Sequence, residues 1–318
     1  MNNLIRPAQL IPALLLLALA FLPPIAAGLD DNFWIAFFAR VLAYAIAASA
    51  LNIALGFGGL VSLGHALFIG IGMYSVSLPA YYGVSSGWVH LGLCVLLCAV
   101  VGGFTGLISL RTSGIAFIMI TLAFAQMGYF VIVSLKQYGG DDGMSIAAAS
   151  NFFGLQLNTP LAVYYCAWGL LVVLTYWVMR LRASPFGMAL RAGRQNARRV
   201  MSVGLALQRY QLAAYVLSAV LCGMAGMLLA NLNAYASPSS MAWTVSGELI
   251  VMVVLGGLGS VFGPLLGTLA FLGAEELLKA ATEHWMAVFG LSILGVAMLG
   301  KTGLVGWLEN LSKKEHNT

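Results

Sequence analysis

Long uncharged apolar runs dominate this chain and restrict what it can fold into. The 318 residues are 61% hydrophobic and only 8% charged, whereas soluble domains carry about 25% charged residues. A membrane-spanning helix needs about 20 apolar residues, and the chain divides into about ten apolar runs of roughly this kind. Too little polar surface remains to cover a water-soluble globule. The sequence therefore predicts an all-α polytopic membrane protein, with residues 1–318 forming a single transmembrane domain.

The predicted spans number about ten, with eight as the lower bound, and some are expected to be broken or re-entrant. The first span and the two before the last are short for a bilayer core of about 30 Å. The first run also has the layout of a secretory signal, but we expect it to remain as an uncleaved span. The predicted spans lie near Leu10–Leu22, Phe33–Leu55, Leu60–Tyr82, Trp88–Leu110, Gly114–Leu135, Leu161–Leu181, Gln211–Leu232, Leu249–Val261, Leu265–Leu278 and Trp285–Leu299.

The positive charge of the chain is concentrated in one segment. Seven arginines and no acidic residue lie between Arg180 and Arg209, and short basic loops between spans stay on the cytoplasmic side of a membrane. Alternation over ten spans then places Arg6, Arg111 and the tail at 301–318 on the same side. We expect cytoplasmic N- and C-termini, and we interpret the basic charge as a signal of orientation rather than of nucleic-acid binding.

No pattern predicts catalysis, a metal site or a cofactor. Residues Gly295–Thr302 match the P-loop pattern letter for letter, but they close an apolar run instead of joining a strand to a helix. We interpret the match as chance, so this chain is not expected to bind ATP itself. Cys94 and Cys98 stand four residues apart without a further ligand, and we interpret them as packing residues. Gly139–Gly143 is typical of a tight turn, here on the outer side.

Polar residues around a glycine-rich interruption form the candidate translocation pathway or gate. A broken helix is tolerated at membrane depth where it is buried in protein or lines a cavity, and the segment from Gly58 to Gly64 interrupts an apolar run. Interhelical hydrogen bonding and capping of the break are the alternative roles. A similar segment at Gly256–Gly263 suggests a parallel internal repeat. The candidates are Asn52, Ser62, Gly64, His65 and Gln126.

The arginine-rich segment, residues 182–209, is the second candidate element. Ser184-Pro185 is typical of a helix start, and Val203-Gly204 is expected to end the stretch that follows. The segment is longer than a helix connection requires. We predict that it docks a cytoplasmic partner, with a solvated positive anchor as the alternative. The apolar positions expected to pack are Met188, Leu190, Val200 and Val203.

These segments resemble LivM-type permeases of branched-chain amino-acid ABC importers. The resemblance covers roughly residues 33–306 and departs from the family at Gln195–Arg199, where acidic residues are usual, and at Gly300-Lys301, where Pro-Arg is common. The residues that carry the resemblance are 51–66 with 68–74, 121–126, 139–143, 184–187 through 191–192, Gly204, 210–212, 218–219, 223–226, 247–248, 256–260 with 263–264, and 303–306.

The resemblance implies a non-catalytic permease subunit of an ATP-driven importer in the bacterial inner membrane. Its partners would be a second, related permease, two cytoplasmic ABC ATPases that bind the ATP, and an extracytoplasmic solute-binding protein. Membrane lipid would surround the permease. The mechanism would be alternating access, with branched-chain or other hydrophobic amino acids as substrates. The implied ATPase-coupling residues are Phe186, Gly187, Arg191, Ala192, Arg194 and Gly204.

Two other readings remain open. The same machine could carry urea, an amide or an aromatic acid, because the specificity of such importers lies largely in the binding protein. A secondary transporter driven by an ion gradient is disfavoured, since no membrane-embedded Asp or Glu offers an evident proton or cation site. Replacing Arg191 or Gly204 separates these classes, because severe loss of transport is expected only if an ATPase drives the chain.

Overall fold

The chain folds almost entirely into helices, as a computed structural model shows for residues 14–27, 32–299 and 303–306. The helices are α1 (14–18), α2 (Leu22–Ala27), α3 (Asn32–Asn52), α4 (His65–Tyr81), α5 (Gly87–Ser109), α6 (Ile115–Ser134), α7 (Pro160–Ala183), α8 (Pro185–Gln195), α9 (Ala197–Ser202), α10 (Leu207–Asn233), α11 (Trp243–Gly256), α12 (Gly263–Ala281), α13 (Trp285–Leu299) and α14 (303–306). A π-helical turn, Ile53–Phe57, extends α3.

Five of the described helices are long and apolar enough to cross a membrane. They are α3 with its π turn, α5, α6, α7 and α10, and α11 is a shorter apolar helix. In the described part of the chain, strands are limited to four two-residue pieces: β1 (Met144–Ser145), β2 (Asn151–Phe152), β3 (Leu155–Gln156) and β4 (Tyr235–Ala236). The prediction of an all-α polytopic membrane protein is thus confirmed.

Two predicted spans have wrong boundaries, because glycine-rich segments delay the start of one helix and end the other early. The span predicted at 60–82 begins as a helix only at His65. The span predicted at 249–261 is α11, which ends at Gly256, and the chain then turns through Gly257 (φ 116°) and Gly259 (φ 75°). Positive φ angles are open to glycine and stop an α-helix. Residues 10–13 of the predicted first span, and most of the tail, lie outside the described residues.

Helix α10 lies at the centre of the fold, packed against α3, α4 and α5. Small residues allow this close approach, because helices in lipid associate through tight backbone packing. Gly72 of α4 faces the backbone of Gly223 of α10 with no room for a side chain. A Cβ at Gly102 of α5 would lie 2.9 Å from Ala219 Cβ. Cys94 is fully buried against the same face of α10, as expected for a packing residue.

The loops gather at two opposite ends of the helix bundle. At one end β1 pairs with β4, β2 pairs with β3, and the Tyr82 and Tyr138 hydroxyls lie 2.6 Å apart. The predicted Gly139–Gly143 turn is here, with positive φ at all three of its glycines. We call this the hairpin end. The arginine-rich segment lies at the other end, which we call the basic end.

Candidate functional site

The first glycine-rich segment is a break between α3 and α4, as predicted. After the π turn the backbone leaves helical geometry at Gly59 (φ 69°), and helix resumes at His65. The irregular backbone is held by side chains. Leu63 N–H donates to Thr121 Oγ1 at 3.3 Å, and Gly64 N–H donates to Ser62 Oγ at 3.2 Å. Broken helices at membrane depth need such partners, because lipid supplies none.

His65 opens α4 and is completely buried. Its Nε2 lies 2.8 Å from Ser218 Oγ on α10, and that hydroxyl donates to the Ala50 carbonyl on α3 at 2.7 Å. The imidazole also packs edge-on against the Tyr215 ring, with centroids 5.6 Å apart. The Nδ1 atom has no hydrogen-bond partner among the described residues. His65 therefore ties three helices together beneath the break.

Two other predicted pathway residues occupy different settings. Ser62 is fully buried and forms part of the break itself. Gln126 lies half-buried on α6, and the hydrogen bond from α6 to the break comes from Thr121 instead. The structure thus places Ser62, Gly64 and His65 at the break, whereas Gln126 lies half-buried on α6. Their role in a pathway stays a prediction.

Asn52 joins the first break to the second glycine-rich segment, residues 257–262 between α11 and α12. Its side chain is 1% exposed. The amide Nδ2 donates to the Ser260 carbonyl at 2.7 Å, and Oδ1 accepts from Gly259 N–H at 3.0 Å. An asparagine amide offers one donor side and one acceptor side, so it satisfies two backbone groups of the second break at once.

The two breaks occupy matching positions in their helix pairs. Each follows a helix that runs toward the basic end, and each precedes a helix that runs away from it. Gly59 and Gly257, which correspond when the two segments are aligned, both have positive φ (69° and 116°). Gly303 of the tail packs on the second break, where its Cβ would lie 2.6 Å from Gly257 Cα. These correspondences support the parallel repeat that the sequence suggests.

A sharp corner joins α7 to α8 in the arginine-rich segment. Ser184 caps α8 by accepting the Gly187 N–H at 3.3 Å, and Pro185 follows at the first helical position, which is the usual arrangement at a helix start. Gly187 has no room for a Cβ against the Leu181 carbonyl. Phe186 packs on the Tyr210 ring of α10, 5.7 Å between centroids. The helix start predicted at Ser184-Pro185 is thus confirmed.

Arg191 and Arg194, both predicted coupling residues, have different contacts. Arg191 donates to the Arg182 carbonyl at 2.9 Å and to the Gly187 carbonyl at 3.3 Å, so it braces the corner between α7 and α8. Arg194 instead leaves its own segment and donates through Nη1 to the Gly56 carbonyl in the first break. The first residue stabilises the arginine-rich segment, and the second connects it to the membrane helices.

The exposed side of α8 and α9 is partly apolar. Met188 is 52% exposed and Val203 is 77% exposed, and Met201 joins them at 52%. Leu190 and Val200, predicted to share that face, are buried and pack inward instead. Ala192 lies exposed on α8. Gly204 lies just after α9 with φ 88° and has open space around it.

A cavity of about 520 Å³ opens at the basic end between the first break and the arginine-rich segment. The α5–α6 loop forms its third side, so Arg111 lies at the same end as the arginine-rich segment, as predicted. Ser62 and His65 lie deeper, in the packed interior. The lining includes 58–61, 110–114, 117–118, 193–194, Ala197, Met201, 207–208 and Gln211.

Charged residues on α3, α11 and α12 lie near one another, which the sequence did not predict. Glu248 lies on the exposed side of α11, in the neighbourhood of Arg40, Glu275 and Lys279. Lys279 Nζ lies 2.5 Å from Glu275 Oε1, and the Arg40 guanidinium lies 5.7 Å from the centre of the Tyr44 ring. Glu248 directly precedes the span predicted at 249–261, and a charged residue beside an apolar run was the available signal.

The sequence of this chain is also similar to those of known proteins. A family model described as "Branched-chain amino acid transport system / permease component" matches residues 34–297. The chain belongs to this family. It is therefore a multi-pass membrane permease of the LivM type, as the resemblance implied.

Several curated relatives carry related names. The chain is 30% identical to the high-affinity branched-chain amino acid transport system permease protein LivM of Escherichia coli K12, over 91% of this chain and 72% of that protein. It is 31% identical to LivM of Salmonella typhimurium, over 78% of this chain and 64% of that protein. Identity to the E. coli permease LivH is 25%, over 83% of this chain and 91% of that one. No solved structure matches the chain significantly.

Proposed function

We propose that this chain is a permease subunit of an ATP-driven importer for branched-chain or other hydrophobic amino acids. One observation carries the proposal: a helical corner, α8–α9, presents exposed methionines and arginines at the basic end while Arg194 connects it to the first break. Such an element transmits a partner's movement to the membrane helices. The partners are two cytoplasmic ABC ATPases, which bind the ATP, and a solute-binding protein on the other side.

A second permease completes the pathway in this proposal. Related permeases named LivM and LivH both occur in E. coli K12 and both carry the name of the branched-chain amino acid system, which supports a pair of different subunits. The basic end faces the cytoplasm of a bacterial inner membrane, because short arginine-rich loops are retained there. In this proposal the chain is a transport subunit, and the partner ATPases hydrolyse the ATP.

Purification of the chain from its native membrane in mild detergent tests the assembly. A second permease and two ATPases are expected to co-purify, and the reconstituted complex is expected to take up leucine only with ATP. Met201→Glu, which places a charge on the exposed face of α9, is expected to release the ATPases. Phe153→Glu changes an exposed residue at the hairpin end, and this control variant is expected to retain the ATPases.

Two results would contradict the proposal. Uptake by the isolated chain in liposomes without ATP would establish a secondary transporter. ATP-driven uptake of urea, an amide or an aromatic acid in place of leucine would keep the importer and change its substrate.

A further inference from the structure

Arg194 contacts the one place where both membrane breaks meet. Its guanidinium donates to the Gly56 carbonyl, and its aliphatic stem lies over Gly59, where a Cβ would be 2.9 Å from Arg194 Cγ. The same guanidinium lies 3.7 Å from the position that a Cβ at Gly259 would take. A single side chain of α8 therefore touches the break after α3 and the break after α11.

The bond to Gly56 has a clear physical reason. The last turn of a helix leaves carbonyl groups without intrahelical donors, and the helix dipole places partial negative charge there. A cation that donates to such a carbonyl is stabilised by both effects. In the described structure Arg194 supplies that donor where α3 and its π turn end.

The two breaks are also fastened to each other. Asn52 pairs with the backbone of Gly259 and Ser260, and the backbones approach so closely that a Cβ at Gly56 would lie 2.7 Å from Gly259 N. Packed backbone of this kind does not deform continuously. A displacement applied to one break is therefore passed to the other.

We propose that Arg194 and Asn52 form a linkage through which movement of α8 displaces the α3–α4 and α11–α12 pairs together. Arg194 attaches α8 to the first break, and Asn52 attaches the first break to the second. Both are positioning residues, and neither contacts the substrate in this role. The inference rests on the proposed function, since the movement of α8 would come from the ATPases.

The test uses the complete complex in liposomes and measures leucine imported per ATP hydrolysed. Arg194→Gln removes the cation and shortens the side chain, and we expect the import ratio to fall about tenfold while co-purification and ATP hydrolysis persist. Arg194→Lys keeps a cationic donor and is expected to restore part of the ratio. Arg111→Gln, an exposed arginine beside the same cavity, is the matched control and should leave the ratio unchanged.

Asn52→Ala tests the second half of the linkage. Residues that act through one linkage have non-additive effects, so the double variant with Arg194→Gln should lose little more than the worse single variant. If Asn52→Ala fails to assemble, Arg194→Gln and Arg194→Lys alone decide the matter, because Arg194 lies at the surface.

Two outcomes overturn the inference, and they are distinguishable from failure of the proposed function. An unchanged import ratio in Arg194→Gln, or a loss that only follows the amount of assembled complex, contradicts the linkage while the importer stands. Absence of ATP-driven uptake in the unaltered complex contradicts the proposed function and removes the linkage with it.

Discussion

Gly56 sits where the two breaks touch, so the absence of a side chain there is a structural requirement. We expect Gly56→Ala to destabilise the permease by about 1–3 kcal/mol, the usual cost of overpacking, because a Cβ would lie 2.7 Å from Gly259 N. Thermal unfolding of the purified protein measures this. Gly103→Ala, inside α5 with no atom within 4 Å of its Cβ, should be neutral or stabilising, since alanine favours helix over glycine. Equal stability of the two variants would contradict the backbone contact.

Gly204 shows the opposite situation, a positive φ with open space. Gly204 (φ 88°) and Gly83 (φ 78°) both lack neighbours near a Cβ, at the basic and hairpin ends respectively. Alanine in a left-handed conformation costs about 1–2 kcal/mol, so both alanine variants should lose similar stability. Only Gly204→Ala is expected to lose ATP-driven transport severely. Only that site borders the exposed side of α8 and α9, where the ATPases are proposed to dock. Comparable transport by both variants would show that Gly204 matters for folding alone.

The charged cluster on α3, α11 and α12 joins three helices, and the contribution of its charges to stability can be tested. Arg40→Gln removes one of the two cations near Glu248 and leaves only Lys279, which already pairs with Glu275, so we expect a lower melting temperature. Adding Glu248→Gln to that variant should recover part of the loss, since it removes the repulsion between the Glu248 and Glu275 carboxylates. The coupling should be about 0.5–3 kcal/mol. Arg111→Gln, in an exposed loop, controls for loss of charge. Failure of the second substitution to recover stability would contradict the interaction.

Element boundaries show what the sequence can and cannot predict. The spans predicted at 88–110 and 161–181 correspond to α5 (Gly87–Ser109) and α7 (Pro160–Ala183), because polar turns bound those apolar runs. The span at 249–261 was predicted about six residues late. The first six residues of α11, 243–248, include threonine, serine and glutamate, while the apolar Leu258 and Val261 follow the helix end. Hydropathy does not distinguish an apolar helix from the apolar turn that follows it.

The contact between the breaks could not be predicted from the sequence. Asn52 and Gly259 are 207 residues apart in the chain, and their bond depends on how α3, α11 and α12 pack. The glycines did indicate that each segment was broken. Arg194 could be assigned to a docking segment, but its contact with Gly56 depends on the corner angle that Ser184 and Gly187 set between α7 and α8.

At the scale of the whole molecule, the fold separates two chemically different ends. The basic end combines the arginine-rich segment, the α5–α6 loop and both breaks. The hairpin end combines the two small sheets and the turn that holds Asp141 and Asp142. This segregation matches the predicted alternation for Arg111, the arginine-rich segment and the turn at 139–143, while Arg6 and most of the tail lie outside the described residues. The orientation of the chain is therefore a choice between two arrangements.

Positive-inside retention assigns the basic end to the cytoplasm, and labelling of single cysteines can test that assignment. Arg199 and Phe153 are both exposed, at the basic and hairpin ends respectively, whereas Cys94, Cys98 and Cys222 are fully buried. In intact cells whose outer membrane is permeable to the reagent, a maleimide that cannot cross the inner membrane should label Phe153→Cys and spare Arg199→Cys. Inverted vesicles should reverse the pattern. The unaltered chain, which retains the half-buried Cys166, gives the background signal. Labelling of Arg199→Cys in intact cells would place the arginine-rich segment outside, where no ATPase could dock.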